Sequence, residues 1–287
     1  MEWINAVVQG ILLGGLYAMF AAGLSLIFGV MRLVNIAHGD LIVAAAYLSY
    51  FVVEALGVGP FTSLLIVIPL AAFVGYFLQR GLLNSTLGDD LPPLLVTLGL
   101  SVIIQNGLLM AFTADSRKLD GGSLEVASWK LIEGLQVGVL PVIQFVSAIA
   151  MIGVLQILFY RTAIGRSFRA TSDDQEVAQL MGIETRHVFA VAMALSLAVV
   201  AIAGTFIAVV KSFNPFVGPS LLIYGFEAII IGGLGSLWGT LAGGVVLGLA
   251  QSIGAHINLG FPIISGHAAL LAILLIRPQG LFPKVSR

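Results

Sequence analysis

The stretch RTAIGRSFRATSDDQEVAQLMGIETRH, residues 161–187, is the densest cluster of charge in the sequence and lies between two uncharged blocks, residues 134–160 and 188–210. Each block exceeds the about 20 apolar residues that a helix needs to cross a bilayer. This alternation predicts a membrane protein with several spans. A charged, amphipathic connection between two spans also predicts contact with something soluble.

Composition supports an integral membrane protein. The 287 residues are 59% hydrophobic and 9% charged, with a mean hydropathy of +1.07. A soluble domain carries roughly a quarter charged residues. The apolar runs are continuous rather than alternating, which favours helices over a strand-based barrel. The net charge of −1 argues against a nucleic-acid partner, and the absence of cysteine excludes disulfides.

The uncharged blocks set the expected number of spans. They cover residues 3–31, 41–53, 55–79, 91–114, 134–160 and 188–210, and beyond residue 212 Glu227 is the only charge as far as residue 276. Breaks near residues 232–235 and 256–262 predict three crossings in the last third, one of them short or re-entrant. We therefore expect an all-α, polytopic membrane helix bundle of eight to nine transmembrane helices, formed by a single domain of residues 1–287. Glu2 stands where a signal peptide carries its basic start, so the first block is expected to be a retained span.

Basic residues predict the orientation, because they collect in cytoplasmic loops. Nine Lys and Arg residues fall on the side of residues 161–187 and four on the other side when the spans alternate. This places the N-terminus outside and the C-terminus in the cytoplasm. Residues 115–133 then form an external loop, long enough to hold a short surface helix.

Residues 173–182 predict a helix of two to three turns on the membrane surface. Its first turn would hold acidic side chains, which the helix dipole favours there: Asp173, Asp174 and Glu176. Apolar residues follow at helical spacing, and Gly182 is a C-terminal stop. The alternative is an ordinary solvated loop helix.

Glu176, Ala178 and Gly182 match the signature of ABC-importer permeases, Glu-Ala-Ala followed by three residues and Gly, with Val177 in place of one alanine. Other motifs run nearly end to end: Gly14–Ala18, Asn35–Asp40, Gly165-Arg166 with Arg169-Ala170, Gly225–Gly239 and Arg277–Phe282. In this order and at these separations they resemble the branched-chain amino acid permease family, in particular its smaller, LivH-type subunit.

The resemblance implies a cytoplasmic coupling loop at residues 161–187, whose helix seats in a groove of an ATPase subunit. The implied contact residues are Arg166, Arg169, Asp173, Asp174, Glu176, Ala178 and Gly182. It further implies a second, LivM-type permease, two ABC ATPase subunits, an external or periplasmic solute-binding protein and a bacterial or archaeal cell membrane. Branched-chain amino acids are the first choice of solute; other amino acids, urea, short amides and aromatic acids stay open.

Polar residues inside the spans are candidates for a translocation path. Thr97, Ser101 and Gln105 share one face of the fourth span, with Asn106 beside them. Such a stripe faces either a cavity or a neighbouring helix, and both readings stay open. Asn35 is a further candidate, although Asn35 or His38 is equally suited to cap a helix that has Asp40 in its first turn.

Glu227 is the only charge of the long terminal apolar region. An ionised side chain at mid-bilayer costs about 2.5–3.5 kcal/mol on insertion scales, so it should face protein, water or the permeation path. The alternative to a transport role is a salt bridge or a backbone contact that holds a re-entrant turn.

Glycines predict packing faces in the same region. Small residues four apart let helix backbones approach closely, within the chain or towards the partner permease. They form two sets: Gly235, Gly239 and Gly243, and then Gly244 and Gly248.

Motifs of enzymes are missing. No lysine follows a glycine, so there is no P-loop, and neither HExxH nor GxSxG occurs. His256 and His267 are too far apart for a metal pair on one helix. We therefore expect no catalytic residue, metal or cofactor, and ATP hydrolysis would need another subunit. A competing class is a self-sufficient transporter or channel in which Glu227 and His38 handle ions.

Overall fold

The computed structural model describes residues 2–87, 91–132 and 135–282. Its helices, in chain order, are α1 (Glu2–Met31), α2 (His38–Leu56), α3 (Pro60–Gly81), α4 (Leu91–Phe112), α5 (Ser123–Val126), α6 (Val139–Arg161), α7 (Ala163–Asp173), α8 (Gln175–Leu180), α9 (Thr185–Val210), α10 (Gly218–Gly232), α11 (Leu237–Ile257) and α12 (Pro262–Ile276). A 3₁₀ turn, Leu83–Ser85, follows α3.

Seven of these helices are long and apolar enough to cross a membrane, and α10 and α12 are shorter apolar helices. The predicted all-α membrane bundle is therefore confirmed. The breaks expected after residue 212 fall where α10 ends at Gly232 and where α11 gives way to α12.

Helix α1 runs through the centre of the bundle, and glycines allow its close contact with α11. A Cβ on Gly244 of α11 would lie 2.6 Å from the carbonyl oxygen of Gly14 in α1. Gly248 meets the carbonyl of Gly10 in the same way, one helical turn along. On another face of α11, a Cβ on Gly243 would overlap the carbonyl oxygen of Ala228 in α10. Only glycine fits these crossings, because the obstacle is backbone on the neighbouring helix.

Helix α2 begins deep inside the bundle. The ring Nε2 of His38 lies 2.9 Å from the carbonyl oxygen of Phe20, about 16 Å along the helix axis from the end of α1. Residues 32–37 therefore run back into the membrane region before α2 starts.

Of the two readings left open for Asn35 and His38, a side-chain cap on α2 is not what the structure shows. Ala37 occupies the N-cap position, and within the described chain no side chain caps it. His38 is turned towards α1 instead, and the Asn35 side chain accepts the N–H of Ala37 at 3.0 Å. Asp40 does lie in the first turn, as expected.

The loop between α4 and α6 contains a β-hairpin that the sequence reading did not predict. Strands β1 (Ser128–Ile132) and β2 (Leu135–Gly138) pair antiparallel, with Trp129 opposite Val137. The expected surface helix is reduced to α5, and the block from residue 134 becomes helical only at Val139. Alternating side chains in these short segments satisfy a two-stranded ribbon, a pattern that block hydropathy does not detect.

Two contacts fasten this loop. Arg117 and Phe213 exchange backbone hydrogen bonds of 2.8 and 2.9 Å, which ties the loop to the segment after α9. Lys118 pairs with Glu125, and this hydrogen bond holds the pKa of the Glu125 carboxyl below its usual value.

Candidate functional site

The connection between α6 and α9 is a folded unit that rests on the end of the bundle. Phe168 of α7 is fully buried in a cluster with Val30 of α1 and Phe159 of α6. The hydroxyl of Ser172 donates a 2.8 Å hydrogen bond to the carbonyl of Gly29 at the end of α1. A displacement of α7 would therefore also displace α1 and α6, against which it packs.

Helix α8 is short but closed at both ends. Asp174 is its N-cap, and the Asp174 carboxylate accepts two 3.0 Å hydrogen bonds from backbone N–H groups of the first turn. Gly182 follows the helix with φ of +84°. The N–H groups of Gly182 and Ile183 bond to the carbonyls of Gln179 and Ala178, which forms a Schellman motif. These caps define one orientation of α8.

Helix α8 presents an apolar face to the exterior. Val177, Leu180 and Met181 are 53, 86 and 78% exposed, whereas Ala178 is buried towards the bundle. We name the three exposed residues the α8 face. It lies on the connection between α6 and α9, outside the long apolar helices. Exposed apolar residues that cluster in this way mark interaction surfaces.

A second feature lies within the spans, around Asp40 of α2. Asp40 is 1% exposed. Ser101 of α4 donates a 2.6 Å hydrogen bond to one carboxylate oxygen, and Gln105 donates a 3.0 Å bond to the other. One turn before Ser101, the hydroxyl of Thr97 accepts the N–H of Ile36 at 3.2 Å. We name Asp40, Thr97, Ser101 and Gln105 the Asp40 cluster.

Two helices begin at the Asp40 cluster. Asp40 lies in the first turn of α2, and the start of α10 packs directly against it: a Cβ on Gly218 would overlap the Asp40 carboxylate. Gly39 approaches the carbonyl of Gly218 equally closely. Helix N-termini favour negative charge. The Asp40 carboxylate is thus accommodated by two helix ends and two side-chain donors.

Glu227 forms a separate polar site on α10. It is 3% exposed, and one of its carboxylate oxygens pairs with Nδ1 of His267 on α12. The His267 side chain is 48% exposed. In residues 2–87, 91–132 and 135–282, no group of three His, Asp or Glu side chains is arranged to hold a metal ion.

Known proteins resemble this chain along its whole length. The family described as "Branched-chain amino acid transport system / permease component" matches residues 6–276. The chain belongs to this family. Relatives include the high-affinity branched-chain amino acid transport system permease protein LivH of Escherichia coli, 28% identical over 100% of this chain and 98% of its own length. The corresponding protein BraD of Pseudomonas aeruginosa is 25% identical with the same coverage.

Two further comparisons extend this picture. The permease protein LivM of Escherichia coli is 24% identical over 93% of this chain and 68% of its own length. Among solved structures, a chain of "PsaBC from Streptococcus pneumoniae in complex with Fab" covers 97% of this chain and 96% of its own, with a TM-score of 0.52 and 14% identity. A likeness at that identity concerns the fold.

In this permease the residues expected in the coupling helix divide between two helices. Asp173 ends α7, Asp174 is the cap between the helices, and Glu176 lies in the first turn of α8. The prediction of a single helix from Asp173 onward is therefore wrong. Because the Asp174 side chain takes the N–H groups of the next turn, the backbone leaves helical geometry at that residue.

The two expected arginines lie on α7, which precedes α8. Arg166 is exposed. Arg169 turns back towards the bundle, where it donates to the carbonyl of Phe159 and stacks over the ring of Tyr160, with 5.4 Å from its guanidinium carbon to the ring centre.

The candidates for a translocation path are not brought together at one place. Thr97, Ser101 and Gln105 meet α2 through the Asp40 cluster, and Asn35 is buried in the connection just before it. Asn106 is exposed on α4 and bonds to the carbonyl of Val102 in its own helix. Glu227 pairs with His267 elsewhere.

The sequence reading missed two residues at these sites. Asp40 was considered for its position in a helix, and its role as the acceptor of the α4 stripe was not foreseen. An acidic residue beside an apolar block was the available signal, since intramembrane ionisable residues are rare and usually paired. His267 was considered only as a metal ligand, and nothing local in the sequence links it to Glu227.

Proposed function

We propose that this chain is the transmembrane permease subunit of an ABC importer and translocates a small amino acid. Branched-chain amino acids are the proposed solute, because the relatives LivH and BraD are named for their transport. Other amino acids, urea, short amides and aromatic acids are the alternative cargoes. An external binding protein would deliver the solute.

The observation that carries this proposal is the exposed α8 face, which follows directly after α7, a helix that is packed firmly against the spans. Leu180 and Met181 are almost fully exposed, while Phe168 and Ser172 fix α7 to the spans. An exposed apolar face on a connection between spans is suited to a protein partner, and a rigid base would transmit that partner's movement. We propose an ATPase subunit as this partner, one for each permease.

The remaining subunits follow from the same proposal. A second, LivM-type permease would pair with this chain, and residues 161–187 would face the cytoplasm with the N-terminus outside. The charge distribution of nine basic residues against four supports that orientation. A ligand shifts a conformational equilibrium only by differential affinity, so ATP must change how the ATPase holds the α8 face.

We propose that Glu227 belongs to the translocation path of the solute. A buried carboxylate that a half-exposed His267 covers is suited to pair with the ammonium group of an amino acid at mid-membrane. The Asp40 cluster is instead proposed as the joint that holds α2, α4 and α10 together, because both of its carboxylate oxygens already have donors.

Reconstitution tests the proposal. Liposomes are prepared with this chain, the second permease, the ATPases and the binding protein. They should accumulate radiolabelled leucine only when ATP is present on the side of the membrane that carries the ATPase subunits. Liposomes with this chain alone should show no leucine flux. Flux through the chain alone would instead establish a self-sufficient transporter or channel, and uptake of urea but not leucine would reassign the solute.

A further inference from the structure

A cavity of about 690 Å³ lies at the end of the bundle that bears α7. Helices α1, α6, α7 and the start of α11 enclose it, together with Leu281 and Phe282 after α12. It is distinct from the α8 face, from the Asp40 cluster and from Glu227. The proposed transport cycle gives it no role.

The cavity contains a cation with spare hydrogen-bonding capacity. Arg169 lines it and carries five N–H donors, of which one is given to the carbonyl of Phe159. Among the lining residues that the structure describes there is no carboxylate, and in the described ranges Arg169 forms no ion pair. An anion that entered the cavity would find a charged, forked donor.

A buried hydroxyl in the same wall also lacks a partner. Ser25 of α1 is 1% exposed, and its Oγ has no hydrogen-bond partner among the described residues. Ser25 lines the cavity with Arg169. The hydroxyl oxygen itself has less than 1 Å² of accessible surface, so it adds an unpaired polar group to the wall but does not reach into the cavity.

The rim of the cavity has the character of a membrane interface. Tyr160, Trp238 and Phe282 line it and are 56, 47 and 55% exposed. Tyr160 and Trp238 stand at the end of α6 and the start of α11, where aromatic residues concentrate at the headgroup level of a bilayer. The mouth is thus suited to a molecule with a charged head and an apolar tail.

We propose that this cavity binds the headgroup of an anionic phospholipid from the adjacent leaflet. The phosphate pairs with Arg169, and the acyl chains leave past Trp238 and Phe282. Basic pockets between transmembrane helices bind anionic headgroups in this manner. The inference requires only that the chain spans a bilayer.

Such a lipid would join α7 to the C-terminal segment. Arg169 belongs to α7, whereas Phe282 is held against α10 by a 2.9 Å hydrogen bond from its N–H to the carbonyl of Gly232. One bound molecule contacting both walls would brace α7 against the end of α10.

Tryptophan quenching provides the test, because Trp238 is at the rim. The variant Trp3→Phe, Trp129→Phe leaves Trp238 as the sole tryptophan, and the variant Trp129→Phe, Trp238→Phe leaves Trp3 near the other end of α1 as the control. Each is reconstituted in phosphatidylcholine vesicles with a minor fraction of brominated phosphatidylglycerol. Matched vesicles carry the bromine on the phosphatidylcholine instead.

At Trp238 we expect phosphatidylglycerol to be preferred over phosphatidylcholine by about tenfold, the ratio that corresponds to about 1.4 kcal/mol for one charge-assisted partner. At Trp3 we expect no preference. In the Trp238 background, Arg169→Gln should remove the preference and Arg169→Lys should keep part of it. Arg166→Gln is the matched control, since it removes the same charge from the same helix outside the cavity and should retain the preference.

Three results would overturn the assignment. One is equal quenching by the two lipids at Trp238, which needs no substitution of Arg169 and holds even if Arg169→Gln fails to fold. The second is an equal loss of preference in Arg166→Gln and Arg169→Gln, which would indicate general surface charge. The third is displacement of the lipid by soluble glycerol phosphate, which would make the cavity a site for a free anion, or by leucine, which would make it a site for the zwitterionic solute.

Discussion

Replacing Leu180 by alanine tests the proposed docking of the α8 face most directly. Leu180 is 86% exposed in the isolated chain. The substitution deletes three carbon atoms, and each buried carbon contributes about 0.8 kcal/mol. If docking buries the exposed part of this side chain, the loss is about 2 kcal/mol, or a roughly thirtyfold weaker affinity for the ATPase.

The substitution should leave the permease itself intact. Alanine is the best helix former and leucine is close to it, so α8 keeps its propensity. The caps at Asp174 and Gly182 are not touched. Gln175→Ala provides the matched control, because Gln175 is exposed at the start of the same helix and outside the apolar face.

The assay measures the dissociation constant between the purified ATPase subunits and the detergent-solubilised permease pair, followed by leucine uptake in liposomes. Leu180→Ala should lower both affinity and uptake, and Gln175→Ala should change affinity by less than about 0.5 kcal/mol. Equal affinities for the two variants would refute the reasoning, since an apolar face that docks cannot lose three carbon atoms without cost.

Three further predictions concern other parts of the fold. Gly182→Arg places a side chain at φ of +84°, a strain of about 1–2 kcal/mol, and this variant and Glu176→Lys, each made separately, are both expected to abolish uptake while membrane content on immunoblots stays normal. Ser101→Ala removes a donor to the buried Asp40 carboxylate and should destabilise the protein by about 1–3 kcal/mol in thermal unfolding, whereas Asn106→Ala on the same helix should have little effect. Gly244→Val should lower the free energy of unfolding by at least about 2 kcal/mol, because it forces α11 away from α1. Gly99→Ala, with no described atom within 4 Å of the new Cβ, should be neutral or slightly stabilising. An equal loss of stability in both variants would contradict the packing argument.

The helices and their breaks were predictable from the sequence, because each depends on local composition. Continuous apolar runs give the spans, and the glycine and proline clusters near residues 232–235 and 256–262 end them. Gly182 was also predictable as a helix stop, since its left-handed backbone suits glycine.

Contacts between distant segments were not predictable in the same way. The stripe on α4 signalled only that a polar partner exists, and Asp40 became that partner because α2 starts deep inside the bundle. Similarly, Glu227 required neutralisation, but the choice of His267, forty residues away, depends on how α12 packs against α10.

The sequence by itself determined that this chain is a helical membrane protein, because the solvent preference of each segment is fixed by its own side chains, and its motifs added the resemblance to a permease family. Only the tertiary structure decided how deep inside the bundle each helix begins, which glycine packs against which backbone, and how Arg169 and Ser25 come to line one cavity. Those outcomes depend on close-packed contacts among helices far apart in the chain, where a shift of one helical turn would bring different side chains together.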